Sequence, residues 1–591
     1  MSDDVLAIGI DLGTTNCALA WATGDGPPQA LPIPQVVAAG ELAAQPLLPS
    51  FLFVPAPEQF AAGALALPWY PQARDVVGSF ARSQGATTPA RLVASAKSWL
   101  SHAGVDRQGE ILPWQAPDEV PKCSPVQAAA RYLGHLRAAW EQAHPDTPLE
   151  EQDVVLTVPA SFDAVARELT VQAAMLAGFE APTLLEEPQA AMYDWLAQHG
   201  DGWRTQLAVG DVVLVVDIGG GTTDFSLIAV REDDGVLALE RIAVGDHILL
   251  GGDNIDLALA HAVRAQLEQD GTAIDEWQMR ALTHACRGAK ESLLGDPALR
   301  EAEIAIAGRG SRLIGNTVRA TVTRAQIDAI VLEGFLPLVD ATARPQVPRR
   351  VGLQTVGLPY PSDAAITRHL AAFLARGATA SEGSFVHPTA ILFNGGVTRA
   401  STVRARIVEV LTAWLSAAGA PAPKVLAGTD ADLAVCRGAA HYAQVRRHGG
   451  VRIKGGTVQS YYVGIERVEL AVPGVPPRID AVCVAPFGME EGSACELPQL
   501  FALVVGEEVT FRFFGSSIRK DDRVGAVVPP GELVELSPIE TTLPAAEDAP
   551  EEIVQVRLQT RVTEVGTLDL AAVEHGGVAR RWRLSFDVRG S

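Results

Sequence analysis

The sequence has few cysteines and no closely spaced cysteine pair. Six cysteines occur in 591 residues, from Cys17 to Cys495, and none belongs to a C-x-x-C motif. This pattern argues against a disulfide framework and against a zinc site, and it fits the reducing cytosol. The sequence also lacks an apolar run long enough to cross a bilayer, and its acidic start, Met1-Ser2-Asp3-Asp4, lacks the basic residues of a secretory signal. We therefore expect a soluble cytoplasmic protein without a membrane partner.

Positive charge is also scarce. The chain has 47 Lys and Arg residues against 70 Asp and Glu residues, which gives a formal net charge of −23, and it contains no long basic run. Because a nucleic-acid partner requires a positive surface patch, this balance argues against nucleic-acid binding and indicates only good solubility. The length of 591 residues allows several domains.

The most informative stretch that is present contains three consecutive glycines between two apolar segments. Residues 212–228 read VVLVVDIGGGTTDFSLI, which predicts a strand buried on both faces, a glycine turn and a second strand. The glycines let the backbone approach a bulky group, and the turn N–H groups and the hydroxyls of Thr222 and Thr223 can donate to phosphate oxygens. The carboxylates of Asp217 and Asp224 would repel phosphate, so they indicate a hydrated Mg²⁺ between carboxylate and phosphate.

A shorter copy of this pattern lies at the N-terminus. Residues 5–20 read VLAIGIDLGTTNCALA, with Asp11 before a single glycine and Thr14-Thr15 after it. One glycine-rich turn between strands is usually only a hairpin. Two copies with matching Asp and Thr residues instead predict two related lobes that hold a nucleotide from opposite sides.

Three motifs resemble signatures of the heat-shock-70 (DnaK-type) chaperone family. Residues 9–16 (GIDLGTTN) resemble its first phosphate signature, residues 217–224 (DIGGGTTD) its second, and residues 391–399 (ILFNGGVTR) its adenosine-side signature. The motifs occur in the order of the family, and the resemblance extends to about residue 445. It implies an α/β fold, namely an actin-like two-lobed ATPase domain with a duplicated ribonuclease-H-like fold, and ATP or ADP with Mg²⁺ as cofactors. Actin and the sugar kinases share the hairpins but not every motif.

The resemblance assigns roles to the residues at matching positions. It implies that Lys97, Glu187, Asp217 and Thr222 are catalytic, with Lys97 neutralising charge on the transferred phosphoryl group and orienting water. Asp11, Asp217 and Glu187 would hold Mg²⁺ through water molecules. The residues implied to bind the nucleotide are Gly13, Thr14, Thr15, Asn16, Gly219, Gly220, Gly221, Thr223, Gly251, Gly252, Lys290, Gly395, Gly396, Arg399 and Asp432.

Local sequence signals predict two helices in the first half of the chain. Thr88-Pro89 combines an N-cap hydroxyl with a proline of the first turn, and it predicts the start of a helix that carries Lys97 beside its buried stripe. Ser124-Pro125-Val126-Gln127 is a capping box that predicts a second helix, which should end near Ala143.

Three positions on the base side depart from the family pattern. Arg287 stands where the family has Glu, Glu291 where it has an Arg that stacks on adenine, and Leu294 where it has Ser. These changes predict looser selection of adenine.

The join at residues 446–456 departs from the family pattern as well. It is basic and glycine-rich where the family has an acidic, leucine-rich segment, and we expect a plain flexible linker there.

Short segments of alternating polarity dominate the rest of the chain. They lie at residues 461–465, 481–484, 508–514, 553–558 and 580–588, and their alternation and spacing predict an antiparallel β-sandwich. The resulting domain prediction is an ATPase domain at 1–445, a linker at 446–456 and a β-sandwich substrate-binding or partner-binding domain at 457–591. The family normally continues with a helical lid. We expect no lid here, and therefore fast exchange of bound peptides.

The sequence thus favours an ATP-hydrolysing, chaperone-like protein. Its expected partners are unfolded polypeptide clients or a partner protein, with a co-chaperone and a nucleotide-exchange factor, and we expect a monomer. Two alternatives stay open, a nucleotide-gated interaction scaffold with little turnover and a small-molecule kinase of the same superfold. A kinase would need a substrate-side base, and no carboxylate outside the phosphate clamp stands out in the sequence as one.

Overall fold

A computed structural model describes residues 5–102, 104–180, 182–233, 236–308, 317–346, 357–377, 384–454, 457, 459–467, 470, 477–489, 493–506, 508–516, 518–519, 521–543, 552–562, 568–576 and 580–584. The chain forms two compact units. The first comprises residues 1–162 and 170–452, and the second comprises residues 163–169 and 453–591.

The strands up to residue 426 are, in chain order, β1 (Ala7–Leu12), β2 (Asn16–Ala22), β3 (Gln29–Ala30), β4 (Ile33–Ala38), β5 (Glu41–Gln45), β6 (Leu48–Pro49), β7 (Leu52–Phe53), β8 (Val76–Val77), β9 (Leu92–Val93), β10 (Asp153–Val158), β11 (Thr183–Glu186), β12 (Val212–Ile218), β13 (Thr223–Asp233), β14 (Val236–Val244), β15 (Glu301–Ala307), β16 (Thr317–Thr323), β17 (Ala390–Asn394) and β18 (Lys424–Leu426). The helices are α1 (Ser79–Thr87), α2 (Ala96–Leu100), α3 (Pro125–Ala143), α4 (Ala164–Leu176), α5 (Glu187–His199), α6 (Gly252–Gln269), α7 (Glu276–Gly295), α8 (Arg324–Ala329), α9 (Ile366–Arg376), α10 (Ser401–Ala417) and α11 (Ala434–His448).

Two mixed sheets of the first unit repeat one strand order. One sheet runs β11-β10-β1-β2-β3, with β6 also paired to β2, and the other contains the order β18-β17-β12-β13-β14. In each sheet the hairpin that carries a glycine turn is antiparallel, whereas its first strand pairs in parallel with the next strand, β10 or β17. The structure therefore contains a duplication centred on the two hairpins that the matching sequence patterns indicate.

The core of the first unit follows from the apolar runs and from close helix packing. Residues 213–216 of β12 are fully buried, as expected for a strand covered on both faces. Helix α11 approaches its neighbours so closely that two glycines are required. A Cβ at Gly9 of β1 would lie 2.1 Å from the carbonyl oxygen of Cys436, and a Cβ at Gly438 would lie 1.7 Å from that of Ala190 in α5. Strand β1 is thereby fixed under the helix.

The prediction of a helix that starts at Thr88-Pro89 is wrong. Pro89–Arg91 forms only one 3₁₀ turn, and the chain then extends into β9, which pairs with β7. Pairing buries Val93 against a strand, a tertiary contact that outweighs the local helix signal. Lys97 instead belongs to the separate short helix α2, whose N-cap residue Ser95 has a positive φ of 55°. The second predicted helix is confirmed, since Ser124 caps α3 through the capping box and α3 ends at Ala143.

The basic segment that follows Val445 begins as helix. Residues 446–448 form the last turn of α11, where positive side chains interact favourably with the helix dipole. The Arg447 guanidinium donates to the carbonyl of Val5, and Arg446 donates to the hydroxyl of Thr183. The first three residues of the predicted linker at 446–456 are therefore ordered parts of α11 instead of flexible chain, and residues 455–456 lie outside the described residues.

From Ile453 onward the second unit consists mainly of strands. They are β19 (Ile453–Lys454), β20 (Ser460–Glu466), β21 (Ile479–Ala485), β22 (Ala494–Glu496), β23 (Phe501–Val505), β24 (Glu508–Ser516), β25 (Val527–Val528), β26 (Val534–Thr542), β27 (Glu552–Val562), β28 (Leu568–Glu574) and β29 (Arg581–Leu584). One antiparallel sheet runs β25-β21-β20-β24-β26, and the other runs β22-β27-β28-β29 with β23 also paired to β27.

Both sheets of the second unit contribute to one hydrophobic cluster. Val482 and Phe513 come from the first sheet, and Leu558, Leu570 and Trp582 come from the second. The four predicted strand segments from 461 to 558 fall within β20, β21, β24 and β27, whereas residues 585–588 of the fifth lie outside the described residues. Across the part of the chain that the structure describes, no helix combines the length and the apolar character needed to cross a membrane.

Candidate functional site

The glycine turn between β12 and β13 packs directly against the turn between β1 and β2. A Cβ at Gly220 would lie 1.9 Å from Thr15 Oγ1, and a Cβ at Gly221 would lie 2.8 Å from Thr14 Cγ2. No larger residue fits at these two positions without displacing a threonine. The structure thus brings together the two predicted phosphate turns, which are far apart in the sequence.

Each turn is held by hydrogen bonds of its own. In the first turn, the Ser50 hydroxyl donates to the carbonyl of Gly13 at 2.7 Å, and Asn16 begins β2 directly after the two threonines. In the second turn, the Gly219 N–H donates to the carbonyl of Thr222 at 2.9 Å. Because these bonds fix the backbone before any ligand arrives, the turn geometry is preorganised.

A third turn, at Gly251-Gly252, is bound to the second. The N–H of Gly252 donates to the carbonyl of Gly219 at 3.0 Å, and the N–H of Asp253 donates to that of Gly220 at 2.7 Å. The Lys290 ammonium donates to the carbonyl of Gly252 at 3.0 Å, so this predicted residue also reaches the turns.

Thr223 occupies a different position from the one that the sequence suggests. Its side chain is fully buried, its hydroxyl donates to the carbonyl of Leu250 at 2.7 Å, and its N–H donates to that of Ile248 at 2.9 Å. Both of its hydrogen-bond donors are used within the protein. In this structure Thr223 supports the turn, and Thr222 is the threonine of the pair left beside the glycines.

Lys97 is buried, and it pairs with Glu187 at the start of α5. The side chain of Lys97 is 6% exposed and that of Glu187 is 14% exposed. Burial alone would lower the pKa of Lys97, but the charges of Glu187 and Asp11 outweigh it, and the pKa is raised above its ordinary value. Lys97 is therefore a permanent cation at this site.

Two aspartates surround this ion pair, and their pKa values are raised. Burial, together with the charge of Glu187, raises the pKa of Asp11 to about 7 and that of Asp217 to about 8. The Asn394 amide donates to Asp217 Oδ2 at 2.7 Å, and the Thr157 hydroxyl donates to Asp11 Oδ1 at 3.4 Å. Three carboxyl groups thus share one ammonium group, which leaves an excess of negative charge when all three are ionised.

This excess fits a hydrated cation. No group of three His, Cys, Asp or Glu side chains among the described residues lies close enough to ligate a metal ion directly. Mg²⁺ commonly keeps several of its waters and contacts carboxylates through them. Asp11, Glu187 and Asp217 would hold such an ion, which would neutralise charge on the phosphates beside the glycine turns.

The loop of Gly395-Gly396 passes the end of β12 at Asp217 and Ile218. Gly395 has a φ of +83°, and a Cβ there would lie 2.4 Å from Asp217 Oδ1, so both its conformation and its surroundings require glycine. A Cβ at Gly396 would meet no atom within 4 Å, so open space lies beside this residue. The structure therefore places this third motif next to the carboxyl cluster.

The base side is dominated by ion pairs. Arg287 pairs with Asp253 and, at 2.9 Å, with Asp256, and Lys290 also pairs with Asp256 at 2.6 Å. Arg399 pairs with Asp432 at 2.6 Å. Arg287 stands where the family pattern has a glutamate. Contact between Arg287 and a base would require breaking its bonds to the two aspartates. Glu291 is exposed and Leu294 is half-buried.

Sequence reasoning missed two residues beside the second turn. Ser161 and His247 both contact Asp224, the last residue of the second phosphate signature. They come from loops 86 positions apart in the chain, and neither loop carries a motif. Asn394 lies inside the adenosine-side signature and Thr157 lies in β10, but their hydrogen bonds to Asp217 and Asp11 depend on strand register.

Comparison with known proteins agrees with this geometry. A sequence model described as Hsp70 protein matches residues 7–345, which contain both phosphate turns, Lys97 and Glu187. Similar curated proteins include a "Chaperone protein HscA homolog" of Bordetella pertussis, 32% identical over 336 residues that cover 55% of this chain and 46% of the relative. The homolog of Pseudomonas fluorescens is 33% identical over 342 residues, with coverages of 55% and 46%. The matches thus span about half the length of these relatives.

Proposed function

The chain belongs to the Hsp70 family, and on that premise we propose that it is an ATP-dependent, chaperone-like protein. In this proposal the first unit binds and hydrolyses ATP with Mg²⁺, and the second binds an unfolded polypeptide or a partner protein. The observation that carries the proposal is the convergence of two glycine turns on a buried lysine and three carboxyl groups.

In this proposal, the residues at the phosphate end have different roles in ATP hydrolysis. The N–H groups of the turns, with Thr14, Thr15 and Thr222, donate to phosphate oxygens. Lys97, kept charged by Glu187 and Asp11, offsets negative charge that develops on the transferred phosphoryl group. Asp217 orients water. The ATPase activity of the Hsp70 family supports this assignment.

The second unit serves in this proposal as a β-sandwich for extended peptide segments. Its sheets end in strands such as β26 and β29, and an extended segment can add to the edge of a sheet through main-chain hydrogen bonds. We further propose that the protein is a monomer that acts in the cytoplasm with a co-chaperone and a nucleotide-exchange factor. The proposed domains are residues 1–445 and 457–591, joined by residues 446–456, of which the first three continue α11.

The deciding experiment measures ATP hydrolysis by the purified full chain, with and without a permanently unfolded client protein. We expect turnover that depends on Mg²⁺ and increases with the client, and that is lost in Lys97→Ala. Binding of nucleotide without hydrolysis would replace this proposal with a nucleotide-gated scaffold.

A second measurement addresses coupling between nucleotide and client. The release rate of a fluorescent unfolded peptide from the full chain is compared with ATP and with ADP. Because the basic, glycine-rich join departs from the leucine-rich segment of the family, we expect the two rates to differ by less than about tenfold, or about 1.4 kcal/mol. A larger acceleration by ATP would show that the join transmits the nucleotide state.

A further inference from the structure

A three-residue network lies beside the phosphate turns. Asp224 is the second residue of β13 and pairs directly across the hairpin with Asp217. Ser161 follows β10 in the loop after the strand, and His247 lies between β14 and α6. The Ser161 hydroxyl donates to Asp224 Oδ1 at 2.6 Å, and His247 Nδ1 lies 3.0 Å from Ser161 Oγ and 3.3 Å from Asp224 Oδ1.

The hydrogen bonds assign the protons of this network. Ser161 has one hydroxyl hydrogen, which Asp224 accepts. His247 Nδ1 then faces two acceptors, the Ser161 oxygen and the carboxylate, so Nδ1 must carry a hydrogen. In a neutral ring Nε2 is consequently the unprotonated nitrogen, and it is buried without a hydrogen-bond partner among the described residues.

The network adjoins the proposed catalytic lysine. The edge of the Phe162 ring meets the imidazole of His247, with centroids 5.6 Å apart, and Lys97 Nζ lies 6.0 Å from the centroid of the same ring. The side chains of Asp224 and His247 are only 10% and 14% exposed. Asp224 could therefore compete with Glu187 and Asp11 for the single ammonium group unless another group balances its charge.

We propose that His247, with Ser161, is a positioning residue for hydrolysis that holds the Asp224 carboxylate in one orientation and away from Lys97's pairing with Glu187. Two carboxylates directly opposite on a hairpin repel each other, and the hydrogen bonds of His247 and Ser161 offset that repulsion. Lys97 is then left to act on the phosphoryl group. This inference rests on the proposed ATPase function and deepens it.

Kinetics of His247→Gln and His247→Asn test the proposal. The asparagine amide nitrogen takes the place of Nδ1, whereas the glutamine amide nitrogen takes the place of Nε2. We expect kcat for ATP hydrolysis to fall about tenfold in H247Q, equal to about 1.4 kcal/mol, with KM for ATP unchanged, and to return to within about threefold of the parent in H247N. If His247 served folding alone, H247Q and H247N would both have a lower melting temperature, and their kcat values would not differ in this way.

A matched control is His369→Gln. His369 is also half-buried in the first unit, and its Nε2 lies 2.9 Å from the main-chain carbonyl of Asp363. Its substitution should leave kcat and KM unchanged. Equal kcat in H247Q and the parent, or equal losses in H247Q and H369Q, would overturn the proposal.

A spectroscopic measurement separates this inference from the proposed function. The ¹⁵N resonances of histidine-labelled full chain, assigned by comparison with H247Q, report which ring nitrogen of His247 is protonated. We expect the Nδ1–H form in the parent and the common Nε2–H form in Asp224→Asn. If the parent shows this tautomer pattern but does not hydrolyse ATP, the proposed ATPase function is wrong, whereas the contact between His247 and Asp224 is supported. An Nε2–H form in the parent overturns the positioning role regardless of turnover.

Discussion

The phosphate end and the base end of the first unit differ in how far the protein neutralises its own charges. At the phosphate end, Lys97 is the one basic side chain of the described residues that Asp11, Glu187 and Asp217 share, and the pKa values of both aspartates are raised. At the base end, Asp253 and Asp256 face Arg287 and Lys290, and Asp432 faces Arg399. The first end is unbalanced, with more carboxyl groups than cations among the described residues. At the second, balanced end each aspartate pairs with a basic side chain, although burial also raises the pKa of Asp253 and of Asp432. On the proposed function, we expect from this difference that phosphate and Mg²⁺ contribute more to ligand selection than the base does.

The largest expected effect is at the phosphate end. Lys97→Ala should lower kcat for ATP hydrolysis by about 10²–10³, because one preorganised charge is lost, while ADP affinity changes little. Steady-state turnover and ADP titration measure both. Arg399→Ala is the matched control at the base end, where the side chain is 65% exposed, and it should leave kcat nearly unchanged. Unaltered turnover in the lysine variant would remove Lys97 from the mechanism.

The variant Lys97→Ala also leaves the carboxylate of Glu187 without its cation. A double variant, K97A with Glu187→Gln, removes that unpaired charge and should recover thermal stability without recovering turnover. Recovery of turnover in the double variant would mean that the single substitution acted through folding.

The balanced end is expected to contribute more to stability than to turnover. Arg287→Met leaves Asp256, which is fully buried, with Lys290 as its remaining cation in the described structure. Breaking a buried ion pair commonly costs about 3 kcal/mol, and urea unfolding of the ligand-free chain measures that loss. The comparison is Arg264→Met on the surface of α6, whose pair with Glu268 should contribute under about 0.5 kcal/mol. Equal effects of the two variants would contradict the buried network.

The unbalanced end should make nucleotide binding depend on pH. Because burial raises the pKa of Asp11 to about 7 and of Asp217 to about 8, these two carboxyl groups bind more protons in the folded chain than in the unfolded chain between about pH 4 and pH 8. Their stabilising contribution is complete below about pH 4 and is lost as pH rises through 7 to 8. Mg²⁺ would bind the ionised carboxylates, so Mg²⁺ binding should become stronger as pH rises, whereas the stability contribution of these groups becomes smaller.

Mg²⁺-dependent ADP affinity should accordingly increase at least about tenfold between pH 6 and pH 8, the factor expected when one carboxyl group with a pKa of about 7 must lose its proton on binding. Isothermal titration at three pH values measures this, and Asp217→Asn should flatten the profile. An affinity that is independent of pH in the parent would show that the carboxyl groups are already ionised.

The smallest expected effect is that of the base. Since Arg287 is held by two aspartates and Glu291 replaces a stacking arginine, exchanging ATP for GTP should weaken binding only modestly. Competition of the two nucleotides for one labelled ADP analogue gives the ratio. A preference for ATP above about 10³-fold, or about 4 kcal/mol, would show that other residues supply adenine contacts.

The sequence by itself determined the local elements and the motif order. The buried strand at 213–216, the capped helix α3 and both glycine turns follow from periodicity, capping residues and glycine, which act over a few positions. Family membership followed from motifs of the same local kind.

Only the tertiary structure decided which side chains meet. Lys97 and Glu187 are 90 positions apart, and Ser161 and His247 are 86 apart, so their contacts depend on how sheets and helices pack. Packing also overrode a local helix signal when β9 paired with β7, and it turned the Thr223 hydroxyl toward Leu250. The charge balance of the two ends has the same origin, because burial and distance, which no spacing rule encodes, set the pKa values of Asp11 and Asp217.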